Sequence, residues 1–261
     1  MAGKAAGVKP VQAVLRALQI LELLGQQDRA LPLGEIAASI GLNESTTYRL
    51  LQTLVQAGFV ASAPRRGFRL TAKLFDLGQA AIPGMEVRTL VRPLLEEVVS
   101  RCNETANIVL FDGVEAVYVD QVQSTHRIRI LAEVGRRLPA YATASGKVFL
   151  AHLPPEQLER YLHAVPLHRF TPHTIADRDQ LIRHLALIRQ QGFAEENQEM
   201  EEGVSCVAAP IKDDRGRVVA ALSISGPTSR WTDALVEGLL IPTVREYAER
   251  MSRVVAGEGD R

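Results

Sequence analysis

Ser45, Arg49, Gln52 and Gln56 fall on one helix face when residues are placed at 100° intervals, and none is apolar or acidic. Such side chains exchange hydrogen bonds with base edges in the major groove of duplex DNA. A second set lies in the later part of the chain. In Leu138-Pro139-Ala140-Tyr141-Ala142-Thr143-Ala144-Ser145-Gly146-Lys147, small residues precede a helix start. Free backbone N–H groups and the helix dipole favour an anion there. Lys147, near the start of that helix, either adds charge or points to solvent. Ser223 and Ser225 share one face of a strand whose other face carries Leu222 and Ile224. If buried, these hydroxyls need partners; a bound carboxylate, backbone or water would serve. Val204 and Cys206 share a face of a neighbouring strand, with Cys206 equally readable as a small core residue.

The first set needs a helix pair to present it. Leu33, Ile36, Ala37 and Ile40 form one apolar stripe, and Thr47, Leu50, Leu51 and Leu54 form another. Gly41 stops the first helix and Asn43 is a good N-cap for the second. Gly58-Phe59-Val60 ends the second helix. Ala61 to Leu70 then reads as a hairpin with Arg65, Arg66 and Arg69 at or near its tip. Upstream, Val11, Val14, Leu15, Leu18 and Leu21 predict a helix that covers the pair. An ordinary helical hairpin whose polar face meets water is the plainer alternative. The short Gly-containing turn, the lack of acids beyond Glu44 and the arginine-bearing hairpin favour a winged helix-turn-helix.

Charge is distributed to match. The chain has 30 Lys/Arg and 30 Asp/Glu, but its first 80 residues hold nine and five, leaving 21 and 25 for the rest. Phosphate contact needs local rather than global positive potential, and a head of +4 on a body of −4 is consistent with it. At 261 residues, with 46% apolar content, the chain can build two ordinary cores. No apolar run approaches the ~18 residues of a membrane span. The Ala/Gly/Lys stretch Met1 to Lys9 lacks the apolar segment of a secretory signal. Two cysteines, Cys102 and Cys206, give no disulfide framework and fit a cytoplasmic protein.

Beyond the hairpin, Ala72 to Ala81 reads as a linking helix, and Ile82-Pro83-Gly84 as the domain boundary. A helix from about Met85 to Cys102 contains Pro93, which predicts a kink or a start nearer Arg92. Thr105–Asp112, Ala116–Val122 and Arg127–Glu133 are strand candidates. Ser145–His152 and Asp177–Gln191 are helical, with a third helix opening at Pro154-Pro155 between them. Val204–Lys212 and Val218–Ser225 pair across the turn Asp213-Asp214-Arg215-Gly216. A helix interrupted near Pro242 runs from Thr232 to Val255. Strands flanked by helices without βαβ alternation predict an α+β domain on a mostly antiparallel sheet.

Catalytic readings fare poorly. Ser145-Gly146-Lys147 resembles the end of a phosphate loop, but Tyr141 stands where that loop needs its first glycine. No histidine is tied by context to Cys206 or Ser145 as a base. His168 and His173, on a probable loop, have no nearby third metal ligand.

Four separated segments, in the same order, resemble the isocitrate-lyase-regulator (IclR) family of bacterial transcription factors. They are Val11–Leu70, Leu138–Ala151, Glu199–Pro210 and Ala221–Pro227. The resemblance implies an N-terminal winged helix-turn-helix over 1–72, a linker helix over 73–84 and a GAF-like effector-binding domain over 85–261. It implies no cofactor or metal and no enzymatic activity. Its implied partners are a pseudo-palindromic operator in double-stranded DNA, a small organic acid, and further copies of the chain as a homodimer or dimer of dimers paired through the N-terminal domains. Ser45, Thr46, Arg49 and Gln52 are expected to read bases, Tyr48 the backbone, and Arg65 and Arg66 phosphate or the minor groove. For the effector, Ile130 and Leu138 are expected as apolar walls and Ala144 and Ser145 as backbone donors, with Glu196, Val204, Cys206, Ser223 and Ser225 opposite. Glu196 stands where relatives carry Asp, so the longer acid narrows the cavity. Arg127 and Arg129 lie near the pocket strand, with solvent exposure the default for both. Similarity over Glu195–Pro227 to regulators of sugar-acid breakdown points to a keto sugar acid. Two alternatives remain at this point: a C-terminal domain that only oligomerises, and a hydrolase using Cys206.

Overall fold

Gly41 decides where the second and third helices of the chain part. It sits at φ +66°, a backbone region that a side chain would disfavour, between α2 (Leu33–Ser39) and α3 (Glu44–Gln56). The computed structural model describes residues 10–63, 67–81 and 87–258. The chain divides into two units, 1–81 and 82–261.

In the first unit, α1 (Gln12–Gly25) precedes α2 and α3. A two-stranded antiparallel sheet follows, β1 (Val60–Ala63) with β2 (Gly67–Leu70), then α4 (Lys73–Ala81). Ile20, Leu24, Leu31, Ile36, Leu51, Leu54, Val60 and Phe68 form the core. Fully buried side chains of this size each stabilise by about 1.5–3 kcal/mol. The covering face of α1 differs from the sequence expectation: Ile20 and Leu24 are buried, while Val11, Val14, Leu15 and Leu18 are exposed. Both sides of α1 are apolar, so periodicity alone could not choose between them. Lys73 Nζ donates to Ala57 O at 2.7 Å, satisfying a carbonyl at the end of α3. The expected boundary Ile82-Pro83-Gly84 and the start at Met85 lie outside the described residues.

The second unit opens on α5 (Val87–Cys102), which runs through Pro93 because Val91, Leu94, Leu95 and Val98 hold one face in the core. Then come β3 (Thr105–Phe111), β4 (Glu115–Val122), β5 (Arg137–Pro139), a 3-10 turn (Ala140–Ala142), α6 (Ala144–His152), α7 (Pro155–Ala164) and α8 (Arg178–Gln191). The chain finishes with β6 (Ala194–Asn197), β7 (Val204–Lys212), β8 (Val218–Pro227), α9 (Asp233–Leu235), a π-helical turn (Val236–Leu240) and α10 (Ile241–Val255). The π turn, followed by Pro242 at the start of α10, is the interruption expected there. All six strands of the sheet are antiparallel, in the order β5-β4-β3-β8-β7-β6.

The sheet is covered on both faces. Ile108, Leu110, Val207, Leu222 and Ile224 pack under α5 and α10, while Val109, Tyr118, Ala208 and Ala221 pack under α6 and α8. One strand assignment is overturned: Arg127–Glu133 is a loop, and the pairing strand is β5 instead. Side chains rather than a ladder hold its backbone, Arg230 Nη1 donating to Ile128 O at 3.0 Å and Gln121 Nε2 to Ala132 O at 2.9 Å. Ile128 and Val134 consequently point outward, and their apolar alternation mimicked a strand. The edge strand β6 escaped the sequence reading because its residues, AEEN, have poor β propensity.

Candidate functional site

On α3 the sequence dictates a cap and a seam. Asn43 Oδ1 accepts the Thr46 N–H at 2.8 Å, and Thr47 turns inward to donate to Asn43 O at 3.0 Å. With Thr47, Leu51 and Leu54 buried, Ser45, Tyr48, Arg49 and Gln56 are exposed and Thr46 and Gln52 half-exposed. The Arg49 guanidinium has no partner among the described residues, so its five donors are available. Of the hairpin arginines, Arg69 is exposed on β2, and Arg65 and Arg66 lie outside the described residues.

In the second unit, a cavity of about 240 Å³ opens between the sheet and the loop before β5. Ile130, Leu138, Glu196, Val204, Cys206 and Ser225 line it, as expected from sequence. Three expected residues stand behind its wall. Ala144 and Ser145 are buried in α6, and Ser223 lies two residues along β8 from Ser225. The cause is close packing: a Cβ on Gly146 would fall 2.3 Å from Ala140 Cα, so α6 lies against the 3-10 turn. Thr143 Oγ1 takes the Gly146 N–H at 3.1 Å, and of the helix start only Thr143 reaches the cavity.

The floor is a hydrogen-bonded row across the sheet. Asn107 Nδ2 donates to Ser223 Oγ and Ser225 Oγ, each at 3.3 Å, and Cys206 Sγ reaches Ser225 Oγ at 3.3 Å. Gln121 Nε2 bonds Asn107 Oδ1 at 2.9 Å and the loop carbonyl of Ala132. The serine hydroxyls thus have a protein partner. Ser145 Oγ is buried without a hydrogen bond, facing the Tyr118 hydroxyl. Burial pushes that phenol well above its usual range.

Charge is concentrated behind Glu196. Its carboxylate accepts the Glu199 and Met200 N–H groups, but burial outweighs these bonds and lifts its pKa to about 7. Burial likewise raises the Cys206 thiol, with Glu196 adding to the effect, which makes a thiolate nucleophile unfavourable. Lys147, one of the two readings of which was solvent, is fully buried. Its ammonium donates to Glu195 O at 2.7 Å and pairs with the Glu199 carboxylate. Burial, and then the Lys147 charge, bring His184 down to about 4. The loop holding His168 and His173 is a clamp: Thr171 Oγ1 donates to Gln198 O and Thr174 Oγ1 to Glu199 O, both at 2.6 Å. Among the described residues no His/Cys/Asp/Glu group could hold a metal ion.

Several cavity residues were missed in the sequence. Tyr118, Thr143, Met200 and Glu201 line it, as do Arg129 and Arg136. Period-two alternation on β4 could have found Tyr118 opposite Val117 and Val119. Arg129 is exposed, as expected for a residue near the pocket, and also lines the cavity, while nothing local marks Arg136.

A capped helix-turn-helix with an uncommitted polar face in one unit, and a polar-floored cavity in the other, define a DNA-binding regulator with a small-molecule pocket. Comparison with known proteins agrees. Residues 13–64 match the family model described as the IclR helix-turn-helix domain, and residues 79–253 match the bacterial transcriptional regulator IclR C-terminal model. The chain is 38% identical over 225 residues to the HTH-type transcriptional regulator XynR of Escherichia coli (strain K12), covering 86% of this chain and 89% of that protein. The crystal structure of Thermotoga maritima IclR aligns with a TM-score of 0.76 at 32% identity, over 93% of this chain and 98% of that one. An IclR homolog from Microbacterium hydrocarbonoxydans, complexed with 4-hydroxybenzoate, aligns with a TM-score of 0.77 at 27% identity, over 94% and 100%. The chain belongs to the IclR family of bacterial transcriptional regulators. Its relatives are regulators rather than enzymes, which removes the hydrolase alternative. Among the described residues no helix is long and apolar enough to cross a membrane.

Proposed function

We propose that this chain is an effector-responsive repressor of a catabolic operon, binding a pseudo-palindromic operator as a homodimer or dimer of dimers. The observation that carries the reading is the presence of an unpartnered, acid-free α3 face in the first unit and of a partly open cavity in the second. Ser45, Thr46, Arg49 and Gln52 read base edges, Tyr48 contacts backbone, and Arg65 and Arg66 hold phosphate or the minor groove. The exposed apolar face of α1 (Val11, Val14, Leu15, Leu18) supports pairing between copies through the first unit. The cavity takes a small organic acid, as 4-hydroxybenzoate, in complex with the Microbacterium homolog, is one. The sequence similarity to regulators of sugar-acid breakdown favours a keto sugar acid. Ile130, Leu138, Glu196, Val204, Cys206 and Ser225 touch it, while Ala144, Ser145 and Ser223 support that wall from behind. The acid binds one arrangement of the protein better than another and shifts DNA affinity by that difference.

The test joins gel retardation of upstream fragments with melting of the full chain against sugar acids, keto acids and aromatic carboxylates. A stabilising acid that also changes retardation is the expected result, since a ligand of the native state alone raises stability. Failure to retard any fragment at low salt overturns the DNA reading. A protein whose melting no acid shifts overturns the effector reading and leaves the second unit as an oligomerisation module.

A further inference from the structure

The helix α6 has a concave site at each end. The cavity over Ser225 opens near its start, and a separate cleft of about 530 Å³ lies at its last turn. The start of α7, the end of α8 and the β7–β8 turn complete the cleft, which shares no lining residue with the cavity. Strand register keeps the two apart. Ser225 pairs with Thr105 at one end of β3, and Phe111 of the cleft stands at the other.

The cleft has an aromatic floor. Phe111 and Phe149 stack with ring centroids 5.5 Å apart and planes 18° from parallel. Phe111 is only half-buried, so part of its ring remains open to a further partner. Leu153 and Val218, also half-buried, supply apolar walls. A planar ring gains both area burial and ring-to-ring attraction on such a surface.

Its rim is cationic. Arg189 and Arg217 line the cleft and no carboxylate does. Arg217 is already engaged by Asp213 on its own hairpin. Arg189 is exposed and has no carboxylate partner among the described residues. His152 adds no charge of its own: burial, and then the nearby charges of Lys212 and Arg189, hold it below its usual range. Its neutral ring donates from Nδ1 to Val148 O at 2.8 Å, which leaves Nε2 as an acceptor.

We propose that this cleft is a second ligand site, taking a planar aromatic monocarboxylate whose ring lies on Phe111 and whose carboxylate pairs with Arg189. The volume is in the range of small-molecule sites. With Arg217 occupied, Arg189 is the lining cation left to meet a carboxylate, so the site suits a monoacid rather than a diacid. The proposal does not depend on what the other cavity binds.

The experiment titrates the full chain by calorimetry with 2-naphthoate, its neutral counterpart 2-naphthamide, and acetate. Naphthoate is expected to bind about tenfold tighter than either, or more. Arg189→Gln and Gln157→Glu alter exposed residues of the rim, so melting without ligand should not move. Each should weaken naphthoate about tenfold, the first by removing a charge-assisted bond and the second by setting a like charge beside the carboxylate. Naphthoate binding that both variants leave intact belongs to the other cavity and overturns the proposal while the effector reading stands. A wild type that binds no naphthoate, or binds the amide equally well, overturns it too. So does a fall in solution mass on Arg189→Gln, which would make the cleft a contact between copies of the chain.

Discussion

The helices α3 and α6 start alike and end in opposite environments. Each has a side-chain cap, Asn43 Oδ1 on the Thr46 N–H and Thr143 Oγ1 on the Gly146 N–H. Yet α3 keeps a polar face in solvent, whereas every residue of α6 from Ala144 to Ala151 is buried. The first unit therefore holds its hydrogen-bonding groups unfilled on a small apolar core, ready for a partner. The second unit buries its charges and fills them internally, through Lys147–Glu199, Arg92–Asp120 and Arg230–Glu104. Recognition chemistry on the first is cheap in stability. On the second it is inseparable from folding, because an unpaired buried charge is costly.

The largest expected effect breaks that internal pairing. Lys147→Met should cost about 3–5 kcal/mol, since it strands the buried Glu199 carboxylate. Adding Glu199→Leu should restore most of the loss. The contrasting change on α3, Gln56→Ala, should stay within about 0.5 kcal/mol. Urea unfolding of each variant checks all three, and a Lys147→Met loss below about 1 kcal/mol would dissolve the contrast.

Next in size is the pH dependence of Glu196. Its folded pKa of about 7 exceeds the ordinary carboxylate value, so between these limits the native state binds the extra proton. Stability from this group is full below the ordinary value and falls as pH rises through 7, by roughly 3 kcal/mol in all. Glu196→Gln should flatten the decline in unfolding free energy between pH 5 and pH 8. An unchanged slope would show that the carboxyl titrates normally.

Arg49→Ala sharpens the other side of the comparison. It should weaken specific operator binding about 10- to 100-fold, equivalent to roughly 1–3 kcal/mol, with no shift in melting temperature. Equal affinity in gel retardation would remove Arg49 from the reading face.

The same contrast explains which parts of the molecule could be read in advance. Turn, cap and stripe in the first unit act locally, so Gly41, Asn43 and Leu51 declared their roles by type and spacing. The hairpin of β7 and β8 was equally local, closed by the turn at Asp213–Gly216. The cavity floor was half visible: Cys206 and Ser225 follow from strand alternation, but Asn107, which donates to Ser225, comes from a strand more than a hundred residues away. Lys147 is the instructive miss. A lysine in an apolar helix is ordinarily solvated, and the distant Glu195 carbonyl and Glu199 carboxylate, the latter's backbone held by the Thr171–Thr174 clamp, make burial tolerable. Arg136 was hidden by a loop that alternates like a strand.

The smallest effect tests whether the cap on α3 serves recognition as well as stability. Asn43→Ala leaves the Thr46 N–H without its side-chain acceptor and should cost about 1 kcal/mol, whereas Asn43→Gly should cost only a few tenths. Thr46 and Ser45 occupy the first turn, the part of a recognition helix that lies nearest the bases. Fraying that turn should therefore lower operator affinity by more than the stability change alone requires at a temperature where the chain remains folded. If Asn43→Ala melts earlier but retards operator DNA as well as the wild type at 10 °C, the first turn contributes no base contact. Reading would then fall to Arg49 and Gln52, one turn further along.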